Sequence, residues 1–149
     1  IISRCQIIRF KPYSNKELRY FYENSKDPFD KSIIESKNIE TLISISNGSP
    51  GQLMDNLALW KNIHIDIKKA FTSPLKKFVD ILDLARIVSN ELTMNEQELL
   101  IDYIQRSWWD RSKSPKIAEI LEEIKINLKA NVQSRLAWEV GLIKIKLLD

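Results

Sequence analysis

Two short stretches hold the residues with the most pointed chemistry. The first is Ser3-Arg4-Cys5-Gln6, a polar break between the apolar runs Ile1-Ile2 and Ile7-Ile8. An arginine at the end of a stiff extended element, flanked by small Ser3 and Cys5, is held in place and aimed outward. Its guanidinium is always charged and grips phosphate oxygens with a planar fork. Offered to the γ-phosphate of a nucleotide on a neighbouring protein, such a group stabilises the charge of phosphoryl transfer. Taken alone, Arg4 reads more simply as a solvated or salt-bridged strand-end arginine. The second stretch is Asn47-Gly48-Ser49-Pro50-Gly51. Gly48 suits the left-handed conformation that ends a helix. Ser49 then caps a new helix with Pro50 at its first position, where a missing N–H costs nothing. The free amides and dipole of that start can attract an anion, although the turn is in any case a helix–helix connector.

Other chemistry is poorly supplied. One cysteine and one histidine, Cys5 and His64, cannot build the four-ligand site of a structural zinc. Asp27, Asp30 and the pair Glu122-Glu123 have no matching base, nucleophile or metal ligand, and His64 reads as a linker residue. No Gly-x-x-x-x-Gly-Lys loop occurs, so the chain lacks the phosphate cradle of a nucleotide-hydrolysing site. Lys68-Lys69 and Lys76-Lys77 read first as solvated helix faces and second as contacts to DNA phosphates. Of Trp108-Trp109, one ring is expected in the core; the other, if exposed, would suit a subunit contact.

These residues must be positioned by helices. Ser14-Asn15-Lys16-Glu17 has the form of a capping box, opening a helix whose expected inner face is Leu18, Phe21 and Tyr22. A second helix starting near Ser36 or Asn38 would bury Ile39, Leu42 and Ile43 and stop at Asn47-Gly48. Leu53, Leu57 and Trp60 fall on one stripe of a third. Beyond about Asn62 longer helices are expected. One runs over Pro74 to Glu91 with Phe78, Ile81, Leu82, Ala85 and Val88 inward. The capping box Thr93-Met94-Asn95-Glu96 opens the next, burying Leu99, Leu100, Tyr103, Ile104 and Trp108. Ser114-Pro115 starts a third, with Ile117, Ile120, Leu121, Ile124 and Leu128 as its seam. A last one, from about Val132 to Leu148, would turn Leu136, Val140, Ile143 and Leu147 to the core. Most of these apolar stripes are wide, as suits helices packed on more than one side, including against other subunits.

Length and composition agree with this. At 149 residues, 44% hydrophobic and 29% charged, the chain has the make-up of a soluble globular protein of one ordinary domain or two small helical ones. Three glycines and five prolines argue against disorder and against a turn-dense all-β fold. No run approaches the ~20 apolar residues of a membrane span, and Ser3-Arg4 interrupts the start before any signal-peptide core could form. A lone cysteine fits a reducing, cytoplasmic setting. The net charge of +3 permits contact with nucleic acid without predicting it. The chain opens without methionine in what reads as a buried strand, so a preceding domain is expected upstream of Ile1.

In order and spacing, Ser3-Arg4-Cys5-Gln6, the run Ile8-Arg9-Phe10, the helix capped at Ser14 and the turn Asn47-Gly48-Ser49-Pro50-Gly51 resemble the Ser-Arg-Cys element and second sensor helix of the AAA+ clamp-loader family. Farther on, Asn131-Val132-Gln133-Ser134-Arg135-Leu136 and Trp138-Glu139 resemble the start of that family's last collar helix, whereas residues 62–113 match in pattern rather than motif. The resemblance implies that Arg4 is a trans arginine finger acting on ATP bound by an adjacent subunit, with Ser3, Cys5, Gly48, Ser49, Pro50 and Gly51 as motif residues. ATP-hydrolysing members resemble Gly-Ser-x-Arg at the second turn. Here Gly51 stands where their arginine would be, and the Gly-Ser-Pro-Gly form is similar to the delta-prime type, which lends its finger without hydrolysing ATP.

The expectation is therefore an all-α chain: a short AAA+ core strand remnant over 1–12, a three-helix lid bundle over 13–62, and a four- to five-helix collar domain over 63–149. The resemblance implies assembly into the DNA polymerase III clamp loader, with motor and delta-type subunits as partners through the collar. The sliding clamp and primed DNA would be met only through the complex. The chain would carry no cofactor or activity of its own, and no membrane would be involved. Two other readings stay open. One is the tail of an ATP-hydrolysing loader subunit, disfavoured by Gly51. The other is a helical nucleic-acid-binding module, disfavoured by the interleaved acids Asp80, Asp83, Glu91, Glu119, Glu122 and Glu123.

Overall fold

The computed structural model of the protein describes residues 11–25, 36–72 and 78–148, and these are all-helical, with no strand among them. The helices are α1 (Asn15–Asn24), α2 (Ser36–Ile45), α3 (Pro50–Asn62), α4 (Ile65–Ala70), α5 (Phe78–Glu91), α6 (Met94–Ser112), α7 (Pro115–Lys129) and α8 (Ser134–Lys146). They fall into two compact units, divided between Met54 and Asp55 inside α3. No helix among the described residues is long and apolar enough to cross a membrane.

In the first unit, α1 starts at a complete capping box. The Ser14 hydroxyl accepts from Glu17 N, and the Glu17 carboxylate accepts from both the amide and the hydroxyl of Ser14 at 2.7 Å. Those bonds hold the Glu17 carboxyl below its ordinary pKa. α1 packs against α2, and Arg19 pairs with Glu40 across them. The packing covers a narrow stripe, Leu18 and Tyr22. Phe21, expected inside, is exposed, because it lies off the i, i+4 line that faces α2. The expected Ile39, Leu42, Ile43 and Leu53 are buried.

The second unit is a helical bundle in which α4 packs against α5, α5 against α8, α8 against α7 and α7 against α6. α6 opens at the second capping box, Thr93 with Glu96. Its expected inner residues Leu99, Leu100, Tyr103 and Ile104 are buried, and the half-buried Trp108 donates its indole N–H to Phe71 O at 2.9 Å. The α7 seam is also borne out, through Leu121, Ile124 and Leu128. Rings of Phe71 and Trp138 lie 5.8 Å apart, and those of Trp60 and Tyr103 4.2 Å, within the range where aromatic pairs attract.

Two expected faces are corrected. On α5 the core face is Ile81, Leu84, Ala85 and Val88. Phe78 and Leu82 are exposed, because both neighbours, α4 and α8, cover the other side of that helix. On α8 the buried face is Ala137, Trp138, Gly141, Leu142 and Ile145, while Leu136, Val140 and Leu147 are exposed. The helix is apolar on two sides. The side with small Ala137 and Gly141 wins the core, because it lets α7 come close: a Cβ on Gly141 would lie 2.3 Å from Ile124 Cδ1.

The short α4 has no counterpart among the expected helices. His64 caps it, its Nδ1 accepting from Asp66 N at 3.4 Å, so this residue is a helix cap rather than a mere linker. Lys68 is not a solvated lysine. Its ammonium sits 4.9 Å from the centroid of the Trp60 ring, and burial lowers its pKa.

Candidate functional site

The site residues divide between described and undescribed parts of the chain. Ser3, Arg4 and Cys5, together with Asp27, Asp30, Lys76 and Lys77, lie outside the described residues. The turn Gly48-Ser49-Pro50-Gly51 is described in full, and its geometry follows from the residue types.

α2 ends where Ser46, fully buried, donates its hydroxyl to Leu42 O at 2.6 Å. Such a back-bond competes with the helical ladder and helps to stop it. Asn47 and Gly48 then both take positive φ, 49° and 77°. At Gly48 the conformation and the space agree. An added Cβ would meet Pro12 Cβ at 2.5 Å and Tyr13 O at 2.7 Å, and Gly48 O accepts from Tyr13 N at 2.9 Å. The glycine thus fastens the chain before α1 to the α2–α3 turn. Ser49 caps α3, its hydroxyl accepting from Gln52 N at 3.2 Å, with Pro50 at the first helical position.

Gly51 is different. It is exposed, and the nearest atom to an added Cβ is Ser49 Oγ at 4.0 Å. A Cβ is sterically acceptable there. The backbone and the space at Gly51 therefore do not demand a glycine.

A second candidate surface is one that periodicity alone assigns to the core. Val132, Leu136, Val140 and Leu147 are exposed, with Leu136 at 49%, Val140 at 42% and Leu147 at 72%. Within α8, Leu136, Val140 and half-buried Ile143 form one helical stripe, with Val132 just before the helix and Leu147 at its C-cap. Its charged borders are occupied locally. Arg135 pairs with Glu139 at 2.6 Å, and Lys144 donates to both carboxylate oxygens of Glu123 on α7 at 2.7 and 2.8 Å. Glu123, which has no evident role in the sequence, is thus a lock on the α7–α8 pair. Sequence periodicity finds this stripe but gives it the wrong side. The usable signal is the pair of small residues on the opposite face.

Among the described residues no group of three or more His, Cys, Asp or Glu side chains is placed to hold a metal ion. Residues 29–145 match the family model described as cyanobacterial DNA polymerase III delta prime, C-terminal domain, a span that covers α2 to α8 and begins after α1. No curated protein and no solved structure matches the chain.

Proposed function

The chain belongs to the family of cyanobacterial DNA polymerase III delta prime C-terminal domains, and on that premise we propose that it is an assembly part of the loader that opens a sliding clamp on DNA during replication. In this reading it contributes contact surface and one arginine, and ATP is bound by neighbouring subunits. The setting is cytoplasmic. Residues 63–149 act as the collar that holds motor and delta-type subunits, and the clamp and primed DNA are met through the assembled complex.

The observation that carries the reading is the exposed pair Leu136 and Val140 on α8, flanked by exposed Val132 in the link before the helix and Leu147 at its C-cap; Val132, Leu136 and Val140 lie inside the matched span. A continuous apolar face on a helix already buried on its other side fits a subunit contact. The decisive experiment is capture of the motor subunit by the chain, compared between wild type and Leu136→Asp with Val140→Asp. The double variant should fold normally and lose capture. Retained capture by a folded double variant removes α8 from the interface.

Arg4 is assigned the trans finger role from its motif. A loader reconstituted with Arg4→Ala should lose DNA- and clamp-stimulated ATPase by about 10³-fold or more, the scale of such fingers. Wild-type ATPase in that loader would remove the role. Gly51 supports a subunit that does not hydrolyse ATP, since it stands where the Gly-Ser-x-Arg form of hydrolysing members has arginine, at a position whose geometry does not require glycine.

A further inference from the structure

The geometry points to a single-stranded DNA contact at the corner where α6 ends and α7 begins, built on Arg106, Trp109 and Lys113. Between Arg106 and Lys116 the chain carries four cations (Arg106, Arg111, Lys113 and Lys116) against one carboxylate, Asp110. That net +3 in eleven residues equals the net charge of the whole protein. All four cations are exposed, and none is ion-paired among the described residues. Arg111 donates one N–H to Thr72 O at 2.9 Å and keeps its other donors. The flanking acids lie outside the corner: Asp102 is held by Lys125 at 2.6 Å, and Glu119 comes a turn later on α7.

The aromatic member decides the kind of polyanion. Trp108 is anchored inward through its bond to Phe71 O, which leaves Trp109 outward, 38% exposed. Arg106 and Trp109 fall at i and i+3 and so share one face of α6, and Lys113 is the C-cap residue that follows the helix, its N–H bonded to Trp109 O at 3.0 Å. The other helical neighbours of Arg106 and Trp109 towards the end of α6, Gln105, Asp110 and Ser112, are polar, and no exposed apolar side chain accompanies the indole there. A helix-docking face has apolar companions, as on α8; this one has cations. A lone indole between two unpaired cations suits an unpaired base stacked on the ring, with its phosphates on the charges. Lys113, at φ 52°, and the Ser114 cap, whose hydroxyl makes no cap hydrogen bond, add the positive end of α7 to the same corner. Lys113 and Arg111 also complement the C-terminal dipole of α6, but that role does not call for Arg106 or an outward Trp109.

The test is fluorescence anisotropy of a labelled oligothymidylate titrated with the chain at several salt concentrations. Binding should weaken with salt, and Trp109→Ala should weaken it about tenfold or more at unchanged salt slope, the size of one base stack. Arg106→Gln with Lys113→Gln should flatten the plot of log K against log salt by about 1.4, about 0.7 for each phosphate no longer neutralised. Trp109→Phe keeps a stacking face and should retain most affinity, which separates stacking from a general loss of structure. The proposal is overturned if the oligonucleotide does not bind at low salt, or if duplex DNA binds as tightly. It is equally overturned if polyglutamate competes on equal terms, or if these variants leave affinity unchanged while abolishing capture of the motor subunit.

Discussion

Gly141 of α8 and Ile124 of α7 approach so closely that a methyl group on the glycine would lie 2.3 Å from Cδ1 and 2.4 Å from Cγ1 of the isoleucine. Ile124 is buried, so any shift of its side chain must disturb the close-packed core around it. Gly141→Ala gains about 1 kcal/mol of helix propensity, yet forces the helices apart at a cost of about 1–3 kcal/mol. A net destabilisation is expected in urea unfolding. Because the clash belongs to the pair, Gly141→Ala and Ile124→Ala should together cost less than their sum; strict additivity would locate the strain elsewhere.

A buried polar hub ties α6 to α8. Gln97 Oε1 accepts from Trp138 Nε1 at 2.9 Å and from Ser134 Oγ at 2.6 Å, while its Nε2 donates to Leu92 O at 2.9 Å. Gln97→Leu keeps the bulk and strands three partners at once. The expected loss is about 2–4 kcal/mol, since an unsatisfied buried group costs about 1–3 kcal/mol and networks exceed single bonds. A change in the midpoint too small to resolve would show that water replaces the amide.

Much of this fold is legible in the sequence because helix ends carry local chemistry. Ser14, Thr93, Ser114-Pro115 and Asn47-Gly48-Ser49-Pro50 each mark a start or stop that the structure keeps. What is not legible depends on neighbours. α8 has two apolar faces, and a periodicity of 3.6 fits Leu136, Val140 and Ile143 as well as the buried face of Trp138, Leu142 and Ile145, whose small Ala137 and Gly141 permit close packing. The six-residue α4 is too short for a period, and its cap is a histidine, outside the usual Ser, Thr, Asp and Asn set. Gln97 joins residues 37 and 41 positions away, a pairing that no local pattern encodes. At the candidate site the turn itself is readable, but its bond to Tyr13 is not.

Acid should loosen the start of α1. Bonds from the Ser14 side chain and then its backbone hold the Glu17 carboxyl below its ordinary pKa. The unfolded chain therefore takes up a proton first as pH falls. The stabilisation is present above the unfolded pKa and is lost as pH drops through the folded value. Amide exchange at the first turn of α1 should quicken across that acidic window. Glu17→Gln should flatten the dependence, and an unchanged profile in that variant would exclude Glu17 as its source.

The two glycines of the candidate turn should respond in opposite ways. Gly48→Ala must hold a positive φ of 77° with its methyl against Pro12 and the Tyr13 backbone, and backbone cannot yield as a flexible side chain can. A loss of about 1–3 kcal/mol is expected. Gly51→Ala meets open space inside the first turn of α3 and should stabilise by up to about 1 kcal/mol through helix propensity. Gly51→Arg should fold as well as wild type, less the few tenths of a kcal/mol that a cation costs at a helix start. Thermal unfolding of the three variants decides the matter. If Gly51→Arg fails to fold, the turn forbids the arginine, and its absence could no longer be read as a choice between hydrolysing and non-hydrolysing subunits.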